Sequence, residues 1–150
     1  MARIPIVDDV VRFVAPAAQV FDHLTDPRRR AEWQSSLRRV DDVRIAGERP
    51  GDVGTSWTDV TVVPGVRPRL EVVESEPPRL WREVGSWRSV DASLTLEFSQ
   101  RDGGTDVRAR AELTVPAVAV PVLLLNRWPA ARAIRSDLQR AARIVANAAR

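Results

Sequence analysis

Cysteine, tyrosine and lysine are missing from the chain, and histidine occurs once, as His23. Without cysteine there are no disulfides, no thiolate catalysis and no Cys-based zinc site. Without lysine and tyrosine, Schiff-base and phenol chemistry are excluded as well. A lone histidine rules out His-pair metal sites, and Ser-His catalysis would have to use His23. A Gly-rich phosphate loop is lacking too, since Gly103-Gly104 reads as a hairpin turn. The longest near-apolar run, Val115 to Leu125, is interrupted by Pro116 and Pro121 and is too short to span a bilayer. The start, Met1-Ala2-Arg3-Ile4-Pro5, meets Asp8 and Asp9 before any apolar run develops, unlike a signal peptide. The expectation is a cytoplasmic protein with no cofactor and no metal.

What is present suits one domain over residues 1–150, with 44% hydrophobic and 29% charged residues. Such a length buries about 70% of the extended-chain surface. All 23 basic residues are arginine, against 20 acids, for a net +3. The pI near 11.0 follows from this, because almost nothing titrates between His23 and the arginines. It therefore does not argue for nucleic acid, and no nucleic-acid partner is expected. The basic character is local: from Arg127 to Arg150 there are six arginines and one acid, Asp137.

Val10 to Val14 reads as a first strand. Pro16 suits the first turn of a short helix over Ala17 to Thr25, which Asp26-Pro27 ends. Arg28 to Ser35 can form a second short helix carrying Trp33. The period then changes to two. Strands are predicted at Leu37 to Ile45, Thr55 to Val63, Arg69 to Glu74, Arg79 to Gly85, Ala92 to Ser99 and Thr105 to Val115. Turn chemistry separates them at Pro50-Gly51, Pro64-Gly65, Pro77-Pro78 and Asp102-Gly103-Gly104. In the last two strands Ala92, Leu94, Leu96 and Phe98, and Val107, Ala109, Ala111 and Leu113, form a dry face; the alternate residues are polar. Leu124, Trp128, Ala131, Leu138, Ala142, Val145 and Ala149 make an apolar stripe on a long C-terminal helix that can cover it. Pro129 predicts a kink or restart there. The fold class is α+β: a strongly curved antiparallel sheet of about seven strands around a terminal helix, with two short helices after the first strand.

This order, with Phe13-Val14-Ala15-Pro16-Ala17, Thr25-Asp26-Pro27, Glu32-Trp33, Gly51-Asp52-Val53-Gly54-Thr55 and Glu76-Pro77-Pro78-Arg79-Leu80, resembles the START-like (SRPBCC, Bet v 1-like) superfamily of polyketide cyclases/dehydrases and lipid-transport proteins. The resemblance covers nearly the whole chain. It implies a helix-grip fold with a deep cavity between sheet and long helix, and a hydrophobic small-molecule ligand. A minority of members are cyclases and aromatases, and others are partner-binding regulators.

Five tryptophans are spread over elements expected to converge on that cavity. Trp33, Trp57, Trp87 and Trp128, with Leu94, Leu96 and Leu124, are the candidate ligand-binding residues. Each tryptophan can equally fill core. Trp57 and Asp59 share strand parity. Facing the cavity, Asp59 would be an interior carboxylate and a candidate acid or base; with the parity reversed, Val60 and Val62 point inward and Asp59 is solvated. On a helical wheel anchored at Leu124, Arg135 falls about 20° from the stripe centre. It can reach the cavity to hold an anionic group or Asp59, or pack its stem on the stripe and leave its guanidinium in water. Asp59 and Arg135 are thus the catalytic candidates. His23 lies off the apolar face of its helix and reads as solvated or capping. Arg28-Arg29-Arg30 reads as an exposed helix start.

Three functions are compatible with these residues. The first is a carrier or sensor of a lipid-like or aromatic small molecule. The second is a cyclase/dehydratase-type enzyme that uses the same cavity as a template, with Asp59 as base and Arg135 as oxyanion stabiliser. The third is a protein-interaction module without a ligand. The Arg-rich C-terminal helix also fits an anionic membrane surface, and a homodimer is compatible with the sequence.

Overall fold

The computed structural model describes residues 1–148, so Ala149 of the stripe and Arg150 lie outside the described residues. Strand β1 runs Ala2–Phe13, followed by helix α1 (Ala17–Thr25), a 3₁₀ turn (Pro27–Arg29) and helix α2 (Arg30–Trp33). Strands β2 (Leu37–Arg44), β3 (Ser56–Thr61), β4 (Arg69–Glu76), β5 (Leu80–Trp87), β6 (Val90–Arg101) and β7 (Gly104–Val115) follow, then a 3₁₀ turn (Ala117–Ala119) and helix α3 (Val120–Ala148). Every strand pairing is antiparallel, in the order β1-β7-β6-β5-β4-β3-β2. The curved sheet and long terminal helix are the helix-grip α+β fold.

The first strand starts eight residues before the predicted Val10, at Ala2. Pro5 interrupts the sequence pattern, but β1 is an edge strand and its register shifts between Pro5 and Val7, so the missing N–H is tolerated. The β6–β7 hairpin closes through Asp102 and Gly103, both at positive φ (49° and 75°), as a two-residue turn matched to strand twist requires. On the solvent face Arg108 pairs with Asp8 at 2.8 Å and Arg110 with Glu97. The Arg108 bond holds the Asp8 carboxyl below its ordinary value.

Helix α3 runs unbroken through Pro129, against the expected restart. The carbonyl that Pro129 leaves without a donor belongs to Leu125, which faces water. The buried side of α3 is Leu138, Ala141 and Val145, flanked by Ile134 and Ala130. Its centre lies about 80° around the helix from Leu124, so the predicted stripe holds at Leu138, Ala142 and Val145 and is out of phase in the first half of the helix, at Leu124 and Trp128. Asp137 fixes the helix in place, accepting from the backbone N–H and the hydroxyl of Ser35 at 3.2 and 2.7 Å.

Candidate functional site

Strand register shows why the interior is hollow. One inward row crosses the sheet as Trp57, Leu70, Gly85, Ala92 and Leu113; the next as Val72, Glu83, Leu94 and Ala111; a third as Trp81, Leu96 and Ala109. Small residues fall side by side at Gly85 and Ala92, and again at Ala111, and Ala130 of α3 lines the same space. Gly85 has a packing reason as well: a Cβ there would stand 2.9 Å from Leu70 Cγ. The space these positions leave is a cavity of about 300 Å³, lined by Trp33, Leu94, Leu96, Glu83, Ile134 and Leu138 among others. Along β6 burial falls from Leu96 through Leu94 to the exposed Ala92, so the cavity deepens from the Ala92 end toward Trp33 and Leu96. Of three larger clefts, two of about 580 and 590 Å³ are lined mainly by charged and polar side chains and do not suit an apolar guest, and the third, of about 430 Å³, lies on α3 alone, along Trp128, Pro129 and Arg132.

Behind the cavity lies a buried ion cluster. Arg30, the first residue of α2, bridges two strands. Its Nε and Nη2 donate to Asp59 at 3.2 and 3.0 Å, and its Nη1 and Nη2 donate to Glu83 at 2.7 and 3.2 Å. The guanidinium also sits 4.8 Å over the Trp57 ring, and Trp57 Nε1 donates to Asp59 at 3.0 Å. Trp57 stacks on Trp81, whose Nε1 donates to the Gly51 carbonyl. One cation thus serves two buried anions. Desolvation pushes the Glu83 carboxyl above its ordinary value; Arg30 opposes this and Asp59 adds to it. Glu83 lines the cavity and Asp59 lies behind it. Trp33 also lines the cavity, and its Nε1–H is buried with no hydrogen-bond partner among the described residues.

These placements divide the candidate residues. Trp33, Leu94 and Leu96 come together around the cavity. Trp57 and Asp59 do point inward, but Trp57 is sealed in the core and Asp59 has its oxygens taken by Arg30 and Trp57. Asp59 is therefore a structural carboxylate and not a free base. Arg135 points away from the cavity and pairs with Asp9 of β1; Asp59 lies on the other side of the sheet interior, held by Arg30. Leu124 and Trp128 are exposed, because the first half of α3 turns that side to solvent. Trp87 is partly exposed beside Arg88, which sits 4.6 Å over its ring, and is not part of the cavity wall. Arg30 and Glu83 were not among the expected site residues. The run Arg28-Arg29-Arg30 is an exposed start only for its first two members. A readable signal for Glu83 is its parity with Trp81 and Gly85.

His23 is also a correction, being buried and not solvated. Its Nδ1 lies 3.3 Å from Arg29 Nη1, and its Nε2 has no hydrogen-bond partner among the described residues. Burial, then the Arg29 charge, lowers its pKa. The neutral ring therefore contributes stability fully above about pH 6.5, where the unfolded chain is also neutral, and loses it as pH falls through the lowered folded value. His23→Gln is expected to flatten stability between about pH 7 and pH 5 relative to the parent chain, read by urea unfolding. An unchanged slope would mean that another group carries it.

Comparison with known proteins agrees with this geometry. Residues 5–150 match the family described as polyketide cyclase / dehydrase and lipid transport. No curated protein sequence matches the chain. Among solved structures, the di-domain ARO/CYC protein StfQ of the steffimycin biosynthetic pathway is 13% identical, with a TM-score of 0.77 over 97% of this chain and 52% of its own. The chain thus spans about half of StfQ. A protein from Thermus thermophilus is 17% identical, with a TM-score of 0.73 over 99% of this chain and 100% of its own. A norcoclaurine synthase point mutant from Thalictrum, crystallised with a transition-state analogue, is 13% identical, with a TM-score of 0.69 over 100% and 99%. At these identities the structural likenesses establish the fold. The family match spans nearly the whole sequence, and the chain belongs to the polyketide cyclase/dehydrase and lipid-transport family of the SRPBCC superfamily.

Proposed function

We propose that the protein binds a small hydrophobic molecule carrying a hydrogen-bond acceptor, in the cavity between sheet and α3, as a carrier or sensor. The observation that carries this reading is an apolar cavity of about 300 Å³, one of whose wall residues, Trp33, has a buried indole N–H with no hydrogen-bond partner among the described residues. Its volume is at the small end for ligand sites, equal to the share of roughly ten liquid waters. Leu94, Leu96, Ile134 and Leu138 supply apolar contact, and affinity comes chiefly from that burial. An unsatisfied indole N–H in a dry site favours a guest that places a carbonyl or ether oxygen against it.

The test is titration with a panel of fatty acids and polycyclic aromatic ketones, read by tryptophan emission and native mass spectrometry. Saturable one-to-one binding is expected. Trp33→Phe keeps an aromatic wall but removes the donor together with the pyrrole part of the ring system, so it should weaken ketone binding about 3- to 10-fold more than binding of an isosteric hydrocarbon. Absence of saturable binding across the panel overturns the reading.

One observation favours a second reading, a cyclase-type enzyme. Glu83 is a cavity-lining carboxyl that burial pushes above its ordinary value, and its oxygens, like those of Asp59, accept from Arg30, so proton transfer would need the guanidinium to release one of them. In it the walls template a reactive chain and Glu83, not Asp59 or Arg135, handles the proton. Glu83→Gln would then remove turnover while preserving binding, which is the result that separates enzyme from carrier.

A further inference from the structure

The first half of α3 exposes more apolar surface than a solvated helix face requires. Val122, Leu125 and Trp128 are 63%, 83% and 77% exposed, and Val118, in the 3₁₀ turn just before the helix, is 89% exposed. Val122, Leu125 and Pro129 follow three- and four-residue steps along one outward side, with Trp128 at its border. The charge around them has one sign. Between Pro116 and Ser136 there is no acid, and Arg127 and Arg132 form no ion pair among the described residues. The one acid further along, Asp137, is buried and bonded to Ser35. The same stretch of helix contributes Ala130 and Ile134 to the cavity wall, so the patch borders the site.

We propose that this segment docks the protein on an anionic lipid surface, with Val122, Leu125 and Trp128 entering the interface and Arg132, on the same side of the helix, at the level of the phosphates. Exposed aliphatic residues, an indole and a flanking arginine without acids are the chemistry that an anionic interface selects. A second copy of the chain is a poorer occupant. A two-fold contact through this face would set Arg132 close to its own equivalent, and Asp9, the acid beside this helix, is already paired with Arg135. The inference does not depend on what the cavity holds.

The experiment is co-sedimentation with vesicles of pure phosphatidylcholine and of equimolar phosphatidylcholine and phosphatidylglycerol, at low and high salt. Expected is binding to the mixed vesicles at least tenfold stronger than to the neutral ones, weakened by salt, with a blue shift of emission that Trp128→Ser removes. Arg132→Gln should cost about 5-fold, whereas Arg127→Gln, on the opposite side of the helix, should cost little. Leu125→Asp should abolish sedimentation while guest binding and the thermal midpoint stay as in the parent chain, since the side chain packs on nothing. Equal affinity for both vesicles, or none for either, overturns the proposal. So does an oligomer on size-exclusion chromatography that Leu125→Asp dissolves, because the patch would then be a protein contact.

Discussion

Replacing Arg30 with methionine is expected to cost about 3–5 kcal/mol of stability at neutral pH, far more than any surface arginine. The cause is the pair it leaves behind. Asp59 and Glu83 are buried within reach of one guanidinium, and without it two like charges share a dry site. Such a site escapes by taking up a proton, and Glu83, whose carboxyl burial already holds high, rises further in the variant. A raised carboxyl stabilises the fold below its unfolded value, near pH 4, and loses that contribution as pH rises through the folded value. The deficit of Arg30→Met should therefore shrink from neutral pH to about pH 5, as measured by urea unfolding. Glu83→Gln alone should be mild, because Asp59 still neutralises Arg30 and the amide still accepts a hydrogen bond. Relative to the parent chain it should gain stability as pH rises, since it removes the carboxyl that burial already holds high. Combined with Arg30→Met, it should recover a large part of the loss. A deficit that is independent of pH, or below about 1 kcal/mol, would mean that the cluster is not held by charge.

The same cluster explains how far the sequence could be read. Period-two alternation, turn residues and an amphipathic end were enough for the order of elements, since each is a local pattern. Direction inside the sheet is not local. Trp57 and Asp59 share a face by spacing alone, but whether that face is core depends on the register of β2 and β4 around it. Three consecutive arginines read as one exposed run, yet steps of 100° send them in different directions, and Arg30 turns inward. Anchoring α3 on its bulkiest residues failed for a related reason. Leu124 and Trp128 belong to the half of the helix that is poorly covered by sheet, whereas Ala141 and Val145 mark its buried side. The hollow itself was implied by the family resemblance and not by any local pattern; its residues, the small side chains at Gly85, Ala92 and Ala111, become neighbours only once the strands pair.

Those small residues give the second large effect. Ala111→Phe should lower affinity for a cavity guest about 100-fold or more while leaving the protein as stable as before. Ala111 lies opposite Leu94 on the inward face of β7, in the middle row of the cavity. A phenyl ring there occupies space that the guest needs, and phenylalanine suits a strand better than alanine. Losing one fully buried hydrophobic group from the guest corresponds to about 3 kcal/mol, or two orders of magnitude in affinity. Filling an existing void does not push neighbours aside as overpacking of a dense core does, so the thermal midpoint should hold or rise. Enlarging the same space with Leu94→Ala should instead destabilise the fold and shift preference toward bulkier guests. The opposed responses matter because a general loss of structure would weaken every guest in both variants. If Ala111→Phe bound the panel as the parent chain does, the guest would have to sit elsewhere, and the apolar space under α3 would be only an imperfection of packing.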